Sequence, residues 1–342
     1  MASLALDVGW GWTLGLKVLI ITALVPLGAL ILGYTFLLKM MSHMQSRLGP
    51  MDPGGYHGWY QLIGDGIKFM QKEDVIPVAA DRKVFALAPA VVVVSTFLVF
   101  IVVPAGPDLV VRDLDVGVFF ALAVSSLSVI GVLMAGWASA NKYALLGALR
   151  AAGQLIAYEL PLLLAVVGVV ILAGTMNLQG IVAAQQDGSI FGFGGLGNPF
   201  VLTQFVGFAL FLVAAQAELN QTPFDMPVAE SELMGGFMVE YTGFRFLFFF
   251  IGEFGTAFAF AALAATLFLG GWALPGVDGG LANVLGPLAL FVKTMAVAFL
   301  MFWVRFTYPR LREDQLQALA WKFLIPLALL NIAVTGFFKV AF

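Results

Sequence analysis

The chain has 342 residues, 61% of them hydrophobic and 11% charged, with a mean hydropathy of +0.99 and a formal net charge of -3. Soluble domains carry roughly 45–50% apolar and about 25% charged residues, so this surplus exceeds what a single globule can hide and makes the bilayer the solvent. A secreted enzyme, a nucleic-acid binder and a disordered tail are excluded. With no Cys, and only His43 and His57, neither a disulfide, a thiolate-held iron-sulfur cluster nor a protein-bound metal is expected.

Eight apolar stretches, at 13–38, 84–103, 116–140, 152–173, 200–217, 244–270, 287–304 and 323–340, are long enough to cross a ~30 Å hydrocarbon layer. They predict an all-α polytopic membrane protein, one integral membrane domain over 1–342. The first stretch lacks a preceding positive region and reads as a true span, not a cleaved signal. The first, third, fifth and seventh connections hold thirteen Lys and Arg, the others only Arg112. Because cytoplasmic loops are enriched in these residues, both termini are expected on the outer, periplasmic side of a cell inner membrane. The outer loops, such as 191–198 and 274–280, are Gly-rich and read as connectors, and no internal repeat is evident.

The first inner loop, 40–83, contains an amphipathic segment. Trp59, Leu62, Ile63, Gly66 and Met70 fall on one helical face and Gln61, Asp65, Lys68 and Lys72 on the other. It reads either as a membrane-surface helix or as the rim of a cavity that an amphiphilic substrate enters sideways.

Three acids fall inside or at the edge of spans: Glu159, Glu218 and Glu253. A charge at a helix centre costs roughly 2.5–3.5 kcal/mol on translocon scales, so such groups normally face a protein interior or water and mark an ion or proton path. Lys293 in the seventh span is a candidate counter-charge. Pro161, two residues after Glu159, suits either a first helical turn or a break that frees carbonyls. The acidic loop 218–245 then sets Glu218, Asp225, Glu230, Glu232 and Glu240 among Phe, Met, Leu and Val. Crowded, poorly solvated carboxylates repel one another and share protons, the physical basis of a relay. The basic loop 305–322 places Arg305, Arg310 and Arg312 beside Glu313 and Asp314, where they anchor to lipid headgroups, dock a soluble partner or balance the acidic loop.

Several ordered motifs then come together: Gln45-Ser46-Arg47-Leu48-Gly49-Pro50; Asp65-Gly66-Ile67-Lys68 with Lys72-Glu73; the run from Trp137 to Pro161; Thr222-Pro223-Phe224-Asp225 with Glu230-Ser231-Glu232-Leu233 and Glu240-Tyr241; and Tyr308-Pro309-Arg310-Leu311-Arg312 with Asp314-Gln315-Leu316 and Trp321-Lys322. From about Met44 to the last span the chain resembles the H-subunit family of the proton-pumping NADH-quinone oxidoreductases, respiratory complex I.

The resemblance implies an eight-helix translocase subunit, not catalytic in isolation, that forms part of a quinone tunnel and a carboxylate path coupling quinone reduction to proton pumping. Arg47, Asp65, Phe224, Arg310 and Arg312 would line or support the tunnel. Glu159, Glu218, Asp225, Glu230, Glu232, Glu240 and Glu253 would form the path. Ubiquinone or menaquinone would be the substrate, with iron-sulfur clusters, FMN and the NAD site on partner subunits. The implied partners are the peripheral-arm iron-sulfur and quinone-site subunits, small membrane subunits, antiporter-like subunits and membrane lipid, with no nucleic acid. The rival resemblance is the homologous subunit of a membrane-bound hydrogenase or of a reduced-deazaflavin- or ferredoxin-linked dehydrogenase. An autonomous cation transporter and a plain structural anchor are the rivals of other classes. Two positions depart from the family pattern: Gln221 stands where Arg usually precedes the T-P-F-D element, and Val228 leaves the P-E-A-E run one carboxylate short.

Overall fold

The structure, a computed structural model, describes residues 10–52, 54–188, 197–277 and 280–341. Seven helices in this part are long and apolar enough to cross a membrane: α1 (Gly15–Met44), α3 (Arg82–Val99), α4 (Gly117–Ala138), α5 (Lys142–Ala173), α8 (Gly243–Phe268), α9 (Leu281–Thr307) and α10 (Glu313–Ala341). Three shorter helices complete the frame: α2 (Gln61–Gln71), α6 (Leu178–Asp187) and α7 (Phe205–Glu218). All belong to the all-α class expected.

The fifth expected span differs. It breaks at Gln204, so a single turn (Phe200–Thr203) precedes the 14-residue α7, which reaches only ~21 Å at 1.5 Å per residue. The cause is polar: Gln204 is buried, donates through Nε2 to Thr335 Oγ1 at 2.6 Å and accepts from Asn331 Nδ2 at 2.8 Å, tying the break to α10. A second difference concerns α5. Its 32 residues extend ~48 Å, beyond a ~30 Å core, and place Glu159 and Pro161 in mid-helix instead of the first turn. Pro161 therefore acts in the interior, where it withholds an amide from the Ala157 carbonyl. The segment read as a basic loop becomes helix from Glu313 onward. The 191–198 connector lies almost wholly outside the described residues.

The connections sort onto two ends. At one, Arg245 meets Asp74 at 2.9 Å, Asn141 Nδ2 donates to Glu240 at 2.6 Å, and Arg150 meets Glu232 at 2.8 Å, joining the first, third, fifth and seventh connections. At the other, Gln179 Nε2 donates to the Gly106 carbonyl at 2.7 Å, Trp272 Nε1 donates to Gln179 Oε1 at 2.9 Å and Asn283 pairs with Asp108 at 3.0 Å, joining the second, fourth and sixth. Ion pairs join the connections at one end, and side-chain amides bonded to carbonyls and carboxylates join them at the other.

α8 is the central helix. Its Ala257, Ala259, Ala261, Ala264 and Ala265 let neighbouring helices approach closely, and Phe254, Phe260 and Phe268 fill the space against Phe211 and Phe302. Outer helices present apolar residues such as Leu19, Val284, Leu330 and Phe337 outward, as a lipid-facing surface requires. α2 lies against the bundle through Phe69 on Phe246 at 5.4 Å, and Trp59 of the turn before it stacks on Tyr34 at 4.3 Å, with Ile63, Ile67 and Met70 exposed.

One close approach fixes the acidic segment on α5. Gly236 has φ +59°, and a Cβ there would sit 1.8 Å from the Pro227 carbonyl oxygen, while Gly147 of α5 meets the Gly236 Cα. Gly236→Ala is expected to cost about 1–2 kcal/mol from the left-handed backbone alone, before the clash. A lowered midpoint of thermal unfolding in the purified protein is the expected readout, and an unchanged midpoint would contradict this packing.

Candidate functional site

The turn that follows α7 carries the site. Glu218 closes the helix, Asn220 takes φ +51°, and the chain passes through the cis Thr222-Pro223 peptide to the buried Phe224 and then Asp225. The turn is tied down on several sides. Gln154 of α5 donates to it, Gln216 Nε2 donates to the Thr222 carbonyl at 2.9 Å, Thr222 Oγ1 donates to the Arg305 carbonyl at 2.6 Å, and Leu311 N donates to the Pro223 carbonyl at 2.9 Å. Phe224 packs on Tyr158 with ring centroids 5.3 Å apart, and the Tyr158 hydroxyl donates to the Leu316 carbonyl.

Around this turn lies a cavity of about 370 Å³ whose wall includes Glu218, Gln221, Asp225, Glu253, Thr256 and Arg305. That volume is in the range of small-molecule sites, and its mixture of carboxylates, one guanidinium and amides among apolar groups suits a polar headgroup. Arg305, from the last turn of α9, meets Glu253 of α8 at 3.3 Å, and its guanidinium lies 5.7 Å from the Phe254 and Phe302 ring centroids and 5.9 Å from that of Phe306. Three ring faces thus hold a cation that also serves a carboxylate. Asp225 pairs with Arg310 at 3.3 Å and lies near enough to Glu253 for the two like charges to interact; Glu218 interacts in the same way with Glu159.

The other sequence-selected residues are placed elsewhere. Glu232 is half exposed and pairs with Arg150, whose Nε also reaches Glu313 at 3.8 Å. Glu240 accepts from Asn141 away from the cavity. The Glu230 side chain lies outside the described residues. Arg47 is exposed and donates to Gln45, Asp65 pairs with Lys68 at 3.5 Å on α2, and Arg312 forms two bonds of 2.5 Å with Asp314 at the surface. Lys293 is not the counter-charge: its ammonium donates to the Gly271 and Ala273 carbonyls, 2.8 Å each, at the far end of α8. That part is taken by Arg305, one of the arginines for which lipid anchoring, docking and balancing of the acidic loop stood open; Arg310, paired with Asp225, does balance that loop. An acid inside a span demands a nearby cation, and this was the signal for Arg305.

Both departures noted from the sequence, Gln221 and Val228, line this same cavity. Gln221 is 1% exposed, faces Glu253, and its amide atoms make no well-aligned hydrogen bond among the described residues. Beyond the spans, Tyr241 stacks on Phe85 at 4.0 Å and donates to the Phe85 carbonyl; burial raises its phenol pKa, so the hydroxyl stays a donor. Among the described residues no group of three His, Cys, Asp or Glu is placed to hold a metal.

A family described as NADH dehydrogenase matches residues 16–336 of the chain. The H subunit of the NADH-quinone oxidoreductase of Anoxybacillus flavithermus is 47% identical over 320 residues, 93% of this chain and 92% of the relative. The corresponding subunit of Geobacillus kaustophilus is 47% identical over 304 residues, 89% and 87% of the two chains, and that of Bacillus thuringiensis subsp. konkukian 44% over 328 residues, 96% and 94%.

The pairing of Arg305 with Glu253 is open to a double-mutant cycle. Arg305→Met and Glu253→Gln are each expected to destabilise by about 1.5–3 kcal/mol, as for a lost hydrogen bond to a charged group. The double variant should lose less than the sum, and strict additivity in thermal unfolding would remove the interaction.

Proposed function

The chain belongs to the NADH dehydrogenase family, and from that membership we propose that it is the membrane subunit of a proton-translocating NADH-quinone oxidoreductase in which quinone reduction is converted into proton movement. Its partners are then the other subunits of that enzyme: iron-sulfur and quinone-site subunits of a peripheral arm, which carry the clusters and FMN, and small and antiporter-like membrane subunits. On this reading the segment from Phe200 to Glu218 is the eighth crossing, the lysine- and arginine-rich end faces the cytoplasm, and the chain resides in the cell's inner membrane.

The observation that carries the proposal is the gathering of Glu218, Asp225 and Glu253 around one cavity with Arg305. Reduction of a quinone to a quinol takes two electrons and two protons. The electrons come from a partner; the protons and the transient negative charge must be accommodated locally. Donors such as Arg305 and the Gln221 amide suit the oxygen atoms of a quinone headgroup. Carboxylates gathered on one poorly solvated cavity, Glu218, Asp225 and Glu253, respond to new charge by redistributing protons. Phe224 and Arg310 support this inner end. Asp65, Arg47 and the half-uncovered α2 sit where a lipid-borne quinone enters, and Arg312 belongs to the rim. Glu232 and Glu240, set apart from the cavity, belong to the surface that meets the peripheral arm.

Photo-crosslinking with an azido-quinone in native membranes tests the site. Labelled peptides are expected within 47–68 or 221–241, and label confined to other segments would overturn the assignment. Glu218→Gln and Glu159→Gln are expected to assemble but to lose coupled quinone reduction on the order of 100-fold, the scale of a positioned proton-transfer group. Wild-type turnover and pumping in both would sink the carboxylate path.

A further inference from the structure

Gln154 is 0% exposed, an amide among apolar buried residues of α5 such as Ala151, Ala157 and Leu162. Its amide nitrogen lies within bonding distance of three acceptors: the Ala217 carbonyl at 2.7 Å, the Phe224 carbonyl at 2.8 Å and Asn220 Oδ1 at 3.1 Å. Turning the amide over would set its oxygen against three acceptors, so its orientation is fixed. The carbonyl oxygen, by contrast, makes no hydrogen bond among the described residues. The side chain is committed entirely to donation.

The addresses of the two shorter bonds matter. Ala217 immediately precedes Glu218 and Phe224 immediately precedes Asp225, so one amide clamps both ends of the turn on which two cavity carboxylates ride. The clamp is anchored on the helix that bears Glu159, five residues on. The acids interact across this joint, Glu159 with Glu218 and Asp225 with Glu253. Repulsion between charges varies inversely with their separation and is strong where the dielectric is low. A displaced turn would therefore alter how one acid senses the next while leaving every acid present.

We infer that Gln154 is a positioning residue for charge transfer: by pinning the Ala217 and Phe224 carbonyls to α5 it sets the distances among Glu159, Glu218, Asp225 and Glu253. This rests on the proposed role of those acids. A glutamine serving only to fill and join would affect how much enzyme assembles and leave the pH dependence of assembled enzyme untouched.

The test uses the intact enzyme in native membranes, with Gln154→Leu, which removes the donor, and Gln154→Asn, which keeps the amide but shortens its reach so that both carbonyls cannot be held. Quinone-reductase turnover per assembled enzyme, its pH profile, the KM for quinone and protons moved per quinone reduced are measured beside Glu218→Gln and Glu253→Gln. Expected for Gln154→Leu is a fall in kcat of about ten- to a hundredfold, the scale of a ~1 Å misplacement, with a displaced pH profile and little change in KM; Gln154→Asn should fall between it and wild type. Wild-type pH profile and proton ratio in both assembled variants would overturn the inference. So would failure of both to assemble, which would make Gln154 a folding residue alone. If the two carboxylate variants are also silent, the reading of the cavity itself fails; if they respond and the Gln154 variants do not, only the positioning role does.

Discussion

Carboxylates placed among apolar helices cannot rely on water, and the interior of this protein is arranged around that constraint. Glu253 sits in the most enclosed helix and is served by Arg305, whose charge is in turn flanked by three phenylalanine faces. Removing one partner of such a pair leaves an uncompensated charge, so α8 and α9 are bound together by the requirement as much as by packing. The turn from Glu218 to Asp225 obeys the same rule: its carbonyls are taken up by Gln154, Gln216 and Leu311 instead of solvent. The cavity exists because these polar commitments hold the backbone away from the helices it would otherwise collapse upon.

The same constraint divides the acids into two groups. Glu218, Asp225 and Glu253 face a common space; Glu232, Glu240 and Glu313 lie at the charged end and are met there by Arg150 and Asn141. Arg150 links three segments distant in sequence: α5, the short helix Glu230–Leu233 and the start of α10.

Much of this was legible in the chain. Apolar runs gave the helices, and acids inside such runs marked Glu159, Glu218 and Glu253. What composition cannot convey is the azimuth of one helix against another. Glu232 and Glu240 share their acidic, greasy stretch with Asp225, yet Glu232 turns to Arg150 from the short helix Glu230–Leu233, and the left-handed turn at Met234 with the Gly235-Gly236 pair then carries Glu240 to Asn141. Lys293 and Arg305 lie on one helix, and hydropathy alone did not show that the first answers carbonyls at one end while the second answers an acid near the other. The break at Gln204 was hidden because one glutamine barely lowers the hydropathy of its window; its effect depends on Asn331 and Thr335, more than a hundred residues away. Gln154 escaped notice for the same reason: an isolated amide in a long helix has meaning only once its acceptors are known.

The end closed by Gln179 and Trp272 has a consequence of its own. Beyond Glu253, α8 carries no further ionisable group, and the spans 84–103 and 116–140 hold none at all. The connections at that end are closed by Gln179 and the Lys293 ammonium on backbone carbonyls and by Trp272 on the Gln179 side-chain oxygen. The carboxylates of the spans therefore lie toward one face of the molecule. On the function proposed above, a proton taken up by these carboxylates meets no further acid along α8 toward the other face, so its way onward leads sideways, into whatever stands beside this chain in the membrane.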